Sequence, residues 1–223
     1  MANRESFAID EWYHCYSRGV DKRTVFEEES EFKRFEHLLY LCNSTTPVHR
    51  SALANNMANK EMYSVQRGSQ LVALGAYALI PNHFHLLIRE IIEGGISEFM
   101  RKVGIAYAMY FNIKHERIGN LFVKPFRAKH IAEDDYFRRV ATYIHLNPAE
   151  LFERGWKEGR VSDFALLKKQ LRSYSHSSFP DYLGIKRDQV AILDQESKEL
   201  IATDMPRIEE ILLETHLYYR DLK

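Results

Sequence analysis

The chain has 223 residues, 45% hydrophobic and 28% charged, with 31 Lys/Arg balancing 31 Asp/Glu, which suits one folded domain with an elaboration and excludes a disordered chain. Its two cysteines, Cys15 and Cys42, exclude a disulfide framework or a Cys-x-x-Cys zinc site, and its longest apolar run, Leu71 to Ile80, is too short for a membrane helix of about 20 residues. The opening Met-Ala-Asn-Arg-Glu has no apolar run of the export-signal kind, so the expected place is a reducing cytoplasm.

In chain order, residues 11 to 20 are aromatic-rich, alternate with period two and run into Gly19, which predicts a strand. Phe32, Phe35, Leu38, Leu39 and Cys42 recur at helical spacing over 28 to 42, until Asn-Ser-Thr-Thr-Pro stops the pattern. Residues 51 to 68 are polar and give no clear element. The apolar runs 71 to 80 and 83 to 91 flank Pro81-Asn82, a turn between paired strands. Ile96, Phe99, Met100, Val103, Tyr107 and Tyr110 mark a second amphipathic helix ending near Gly119. A fourth strand is expected over 120 to 131, then a helix from Asp134 to Asn147 with an acidic first turn.

That order predicts an α+β fold: a ferredoxin-like split β-α-β-β-α-β over residues 1 to 150 with one added helix carrying Tyr143. Residues 151 to 223 read as a mostly helical C-terminal extension that packs on the domain or contacts DNA, with helical stretches at 150 to 157, 188 to 203 and 206 to 219 around a turn-like 173 to 184. A zero net charge argues against a nucleic-acid partner. The average hides an asymmetry: residues 99 to 145 hold nine Lys/Arg against four acids, and residues 186 to 223 hold six against nine.

His83-Phe84-His85 opens a predicted strand, so both imidazoles face one side, where they can chelate a divalent cation. The same pair also serves as ordinary sheet histidines satisfied by neighbours. Tyr143 and Asn147 stand four apart on one helix face, and an amide oxygen added to two imidazoles makes a mixed N/O set open to Mg²⁺ or Mn²⁺. Equally, Tyr143 fits a core position and Asn147-Pro148 a helix stop.

Ala78-Leu79-Ile80-Pro81-Asn82-His83-Phe84-His85-Leu86-Leu87-Ile88 resembles the Pro-Asn-His-hydrophobic-His-Leu-Leu signature of the HUH single-tyrosine transposases. Tyr143-Ile144-His145-Leu146-Asn147-Pro148 is similar to the Tyr-Ile-x-x-Asn-Pro signature of the branch called REP-associated tyrosine transposases. Tyr13-His14, Ser17-Arg18-Gly19, Gly119-Asn120-Leu121-Phe122, Phe126-Arg127, Ser177-Ser178 and Tyr182-Leu183-Gly184 extend the resemblance over residues 11 to 185. Two features depart from the pattern: Pro125 stands where many relatives have Arg, and the segment Thr45 to Gln70 is long.

The resemblance implies His83 and His85 as metal ligands, Asn147 as the third ligand, Tyr143 as nucleophile, a ferredoxin-like fold and a homodimer. The implied activity is metal-dependent cleavage and transfer of single-stranded or hairpin DNA through a 5′-phosphotyrosine, with Mg²⁺ or Mn²⁺ as cofactor and the protein nucleoid-associated when bound. Arg18, Lys124, Arg127 and Lys129 are candidates for phosphate contacts, and Tyr13 or Phe126 for stacking on unpaired bases. The competing reading is a DNA-binding protein without cleavage activity. A histidine-triad hydrolase fits less well, because a third alternating His is replaced by Leu87.

Overall fold

Alternation in strand sequences lets one ribbon of backbone serve two different surfaces, and the arrangement of four such ribbons defines this molecule. The structure, a computed structural model, describes residues 7–47, 59–158 and 160–203. In chain order the elements are β1 (Trp12–Arg18), α1 (Glu29–Leu41), α2 (Asn59–Met62), β2 (Val72–Ile80), β3 (His83–Glu90), α3 (Gly95–Lys114), β4 (Arg127–Ile131), α4 (Asp134–Leu146), α5 (Phe164–Ser173), α6 (Phe179–Tyr182) and α7 (Gln195–Thr203). The strands form one antiparallel sheet in the order β2-β3-β1-β4, as the split β-α-β-β-α-β pattern requires. The fold is α+β.

Each face of the sheet has its own core. Tyr13, Cys15, Phe84, Leu86 and Ile88 pack with Phe35, Leu38 and Leu39 of α1 and Phe99, Val103 and Tyr107 of α3. On the opposite face Ala76, Ala78, Ile80 and Leu87 meet Val140, Ala141, Tyr143 and Ile144 of α4 and Ile201 of α7. Gly75 sits at a bulge in β2, where an added Cβ would come within 3.1 Å of the Trp12 ring, so the backbone bends where the aromatic ring needs the space.

Every residue of β2 is buried although β2 ends the sheet. The chain beyond α5 explains this. Leu79 N–H donates to His176 O at 2.9 Å, Ser178 N–H to Tyr77 O at 2.9 Å and Asp194 N–H to Leu74 O at 2.9 Å, so the late segment covers the open edge and satisfies its backbone. A continuous apolar run thus belongs to an edge strand only because its own C-terminal chain closes that edge.

Three expectations need correction. The fourth strand begins at Arg127 rather than 120, because residues 121 to 123 make only an isolated bridge, Phe122 opposite Gly19, while Leu121 and Phe122 anchor in the core, and Pro125 has no N–H to continue the ladder. Residues 150 to 157 are not one helix: 150 and 151 end the 3-10 turn Asn147–Leu151, 156 and 157 open the 3-10 turn Trp156–Glu158, and 152 to 155 between them belong to neither. The 188 to 203 stretch divides into a 3-10 turn, Asp188–Ile192, and α7. Helix α5, capped by the Asp163 side chain accepting from Leu166 N–H at 2.9 Å, was not anticipated, and the expected helix at 206 to 219 lies outside the described residues.

Candidate active site

The face carrying α4 holds a cleft of about 370 Å³ lined by Tyr16, Arg18, His83, His85, Arg127, Tyr143, Glu150 and Lys157, among others. Strand β3 supplies His83 and His85 to this one side while Phe84 enters the opposite core. Strand β1 contributes His14, Tyr16 and Arg18 by the same alternation, since its register pairs Tyr16 with His85 and Arg18 with His83. From α4, the Tyr143 ring meets the His85 ring edge-on at 5.5 Å and the His14 ring at 5.7 Å. Asn147, one turn later, places its side-chain oxygen 3.2 Å from His83 Nε2.

His83 is in an unusual bonding position. Asn82 Oδ1 lies 2.5 Å from its Nδ1, and Asn147 Oδ1 lies 3.2 Å from its Nε2. Amide oxygens only accept, whereas a neutral imidazole has one N–H to donate. With the amides oriented this way, one of these contacts calls for a second proton or a cation; with the Asn147 amide turned over, its Nδ2–H, otherwise buried without a partner, would donate to His83 Nε2 instead. Burial lowers the His83 pKa first; Glu150 and the Asn147 hydrogen bond oppose that, Arg18 and Lys157 reinforce it, and the net shift is downward. The neutral ring is favoured, and a lone pair at Nε2 faces an oxygen.

The second histidine shows a related deficit. His85 Nδ1 and His14 Nε2 are 2.8 Å apart, while His85 Nε2 is buried and has no hydrogen-bond partner. Burial, then His14, His83 and Lys157, hold the His85 pKa well below its ordinary value. Burial, then Lys129, push His14 down to about 3. Ligands must be deprotonated to bind a metal, and these imidazoles meet that condition at neutral pH.

Sequence reasoning did not assign Glu150 or Lys157. Glu150 follows Asn147 by three residues within one 3-10 turn, where i and i+3 side chains eclipse, and its Oε1 is 3.7 Å from His83 Nε2. Lys157 Nζ holds the other carboxylate oxygen at 2.6 Å. The spacing of Glu150 from Asn147 was a readable signal; nothing local in the sequence marks Lys157. Among the described residues no cluster of three or more His, Cys, Asp or Glu is placed to hold a metal. The residues that would hold a divalent cation here are instead His83, His85, the Asn147 amide oxygen and the nearby Glu150, a mix of nitrogen and oxygen donors that suits Mg²⁺ or Mn²⁺.

No protein-family model matches the chain, and no curated protein matches it. Among solved structures, a REP-associated tyrosine transposase bound to a REP hairpin is similar at 15% identity and a TM-score of 0.48, with 85% of this chain and 89% of that chain covered.

The expected phosphate contacts divide into two groups. Arg18 and Arg127 line the cleft. Lys129, paired across the sheet with His14, stands on the same face, with its Nζ 4.7 Å from the centre of the Tyr136 ring. Lys124 instead borders an adjoining apolar groove between α3 and residues 119 to 126, together with Phe126. Tyr13 packs in the opposite core, against Phe7 at 4.8 Å, so it does not face the cleft. Among the described residues, no helix is long and apolar enough to cross a membrane.

Proposed function

We propose that the protein cleaves and rejoins single-stranded or hairpin DNA, using Tyr143 as nucleophile beside a divalent cation held by His83, His85 and Asn147. The observation that carries this reading is that Tyr143, His83 and His85 line one cleft, with the buried Asn147 amide 3.2 Å from His83 Nε2 and His85 Nε2 left without a hydrogen-bond partner. When bound, Mg²⁺ or Mn²⁺ would neutralise the scissile phosphate oxygens. Arg18 and Arg127 flank the same cleft and hold the flanking phosphates.

A phenol of ordinary pKa, about 10, must lose its proton to attack. The Tyr143 oxygen then forms a bond to phosphorus as the bond to the 3′ oxygen breaks, and that oxygen takes up a proton to become a free 3′-OH. A second 3′-OH reverses the step: it attacks the phosphotyrosine, restores a phosphodiester and returns Tyr143. No external energy source is consumed. With one such tyrosine per chain, paired cleavages call for a homodimer.

The test uses the full chain, Mn²⁺, and labelled hairpin oligonucleotides enriched by binding from a random single-stranded library. Denaturing gels should show DNA covalently attached to the wild type, and Tyr143→Phe, which loses only a hydroxyl, should bind the same DNA with no adduct. An adduct on the Phe variant refutes the nucleophile assignment. Tight binding by the wild type with no adduct under any divalent metal favours a DNA-binding protein without cleavage activity.

A further inference from the structure

We propose that His14 is the positioning residue for His85, accepting the proton on His85 Nδ1 and so keeping His85 Nε2 as a bare lone pair at the cleft. This rests on the metal reading of the site given above.

The geometry allows only two proton placements. His14 Nε2 and His85 Nδ1 are 2.8 Å apart and both residues are buried, at 3% and 5% exposure. If His14 donates, the neutral His85 carries its remaining proton on Nε2. That places an N–H in a buried position where no acceptor is present and blocks the nitrogen from a cation. If His85 donates instead, Nε2 is a lone pair, and a cation shared with His83 and Asn147 satisfies it.

Register makes the pairing robust. His14 lies opposite Leu87 on β3, one alternating position from the Tyr16–His85 pair, so the two rings meet diagonally across adjacent strands on one face. Their centroids are 5.0 Å apart at an interplanar angle of 25°. Tyr16 covers both rings, at 4.9 Å from His14 and 5.6 Å from His85, and restricts rotation of either one. A metal-ligating histidine commonly gives its other N–H to an outer acceptor that fixes the tautomer, and here the acceptor is a second histidine. His83 has its counterpart in Asn82 Oδ1, so each ligand has its own anchor.

The experiment has two readouts. Long-range proton–nitrogen correlation spectra of the metal-free wild type, labelled at histidine nitrogens and assigned with single variants, report which His85 nitrogen carries the proton. The expected result is Nδ1–H. A proton on Nε2 overturns the proposal with no variant needed. Mn²⁺ affinity is then measured by calorimetry: His14→Leu removes the acceptor and should weaken binding about 10- to 100-fold. His14→Gln offers an amide oxygen at the former Nε2 position and should recover most of that loss. Wild-type affinity in a folded His14→Leu variant overturns the proposal. A wild type with the expected tautomer that binds no Mn²⁺ refutes the metal reading of the site, and leaves the His85-to-His14 hydrogen bond established.

Discussion

His83 and Phe84 are neighbours on one strand, yet they belong to two different molecules in the chemical sense. Phe84 is 3% exposed and lies between Phe35, at 4.9 Å, and Phe122, at 5.4 Å. His83 stands between two amide oxygens at the wall of an open cleft. One face of the sheet is thus sealed by α1 and α3, and the other keeps polar atoms in reserve. The contrast teaches that β3 positions its imidazoles by burying their neighbours: Phe84, between His83 and His85, and Leu86, just after them, are both packed in the opposite core.

The largest expected effect therefore falls on the sealed face. Phe84→Ala should cost about 3–5 kcal/mol, read as a lower urea midpoint, and a loss under 1 kcal/mol would break the contrast. Next comes Glu31, which ties α1 to the end of α3. Its carboxylate is fully buried and accepts from Glu27 N–H at 2.5 Å, Lys114 at 2.9 Å and His115 at 2.6 Å. Burial raises its pKa, but Lys114, the Glu27 N–H, His115 and the Glu28 N–H outweigh that and the net shift is downward. A depressed folded pKa gives stability that is present above the unfolded value, about 4.3, and is lost as pH falls through the folded value. Glu31→Gln should cost about 1.5–3 kcal/mol at pH 7, with the gap to wild type narrowing below about pH 4. A gap that holds constant into acid would show that shape, not charge, is what Glu31 contributes.

Periodicity made the sheet legible, because β1 and β3 alternate and α1, α3 and α4 keep a helical apolar face. The start of β4 was not legible, since Leu121 and Phe122 have the apolarity of a strand but owe it to burial against α1. The same ambiguity affects residues 150 to 157, where Trp156 is fully buried and yet lies in a 3-10 turn. In the site, alternation was enough to set His83 beside His85, and helical spacing to set Asn147 a turn from Tyr143. Lys157 reaches Glu150, seven positions earlier, across the irregular turns between two 3-10 segments, a local geometry that leaves no periodic trace. His14 was visible only as part of a motif, because its partner, 71 positions away, is fixed by strand register.

The smallest stability change should come from His83→Ala, and it sharpens the comparison most, because the substituted residue is next to Phe84. Removing the His83 ring deletes one bond to Asn82, whose side chain is only half-buried and can turn to water. It also removes the confrontation between Nε2, Asn147 Oδ1 and the Glu150 carboxylate, so a loss and a gain offset each other. Functional sites commonly hold such uncompensated groups at the expense of stability. The urea midpoint should correspond to a change below about 1 kcal/mol, several-fold less than for Phe84→Ala. Mn²⁺ affinity should nevertheless drop at least about tenfold, as loss of a direct ligand is no milder than loss of its outer partner, and covalent DNA adducts should vanish with it. If His83→Ala instead unfolds the protein as readily as Phe84→Ala does, the histidine is a core residue that happens to border a cleft, and the division of labour between the two sheet faces is wrong. If stability and Mn²⁺ uptake are both unchanged, the cation is held elsewhere and the oxygen facing Nε2 must be answered by a proton.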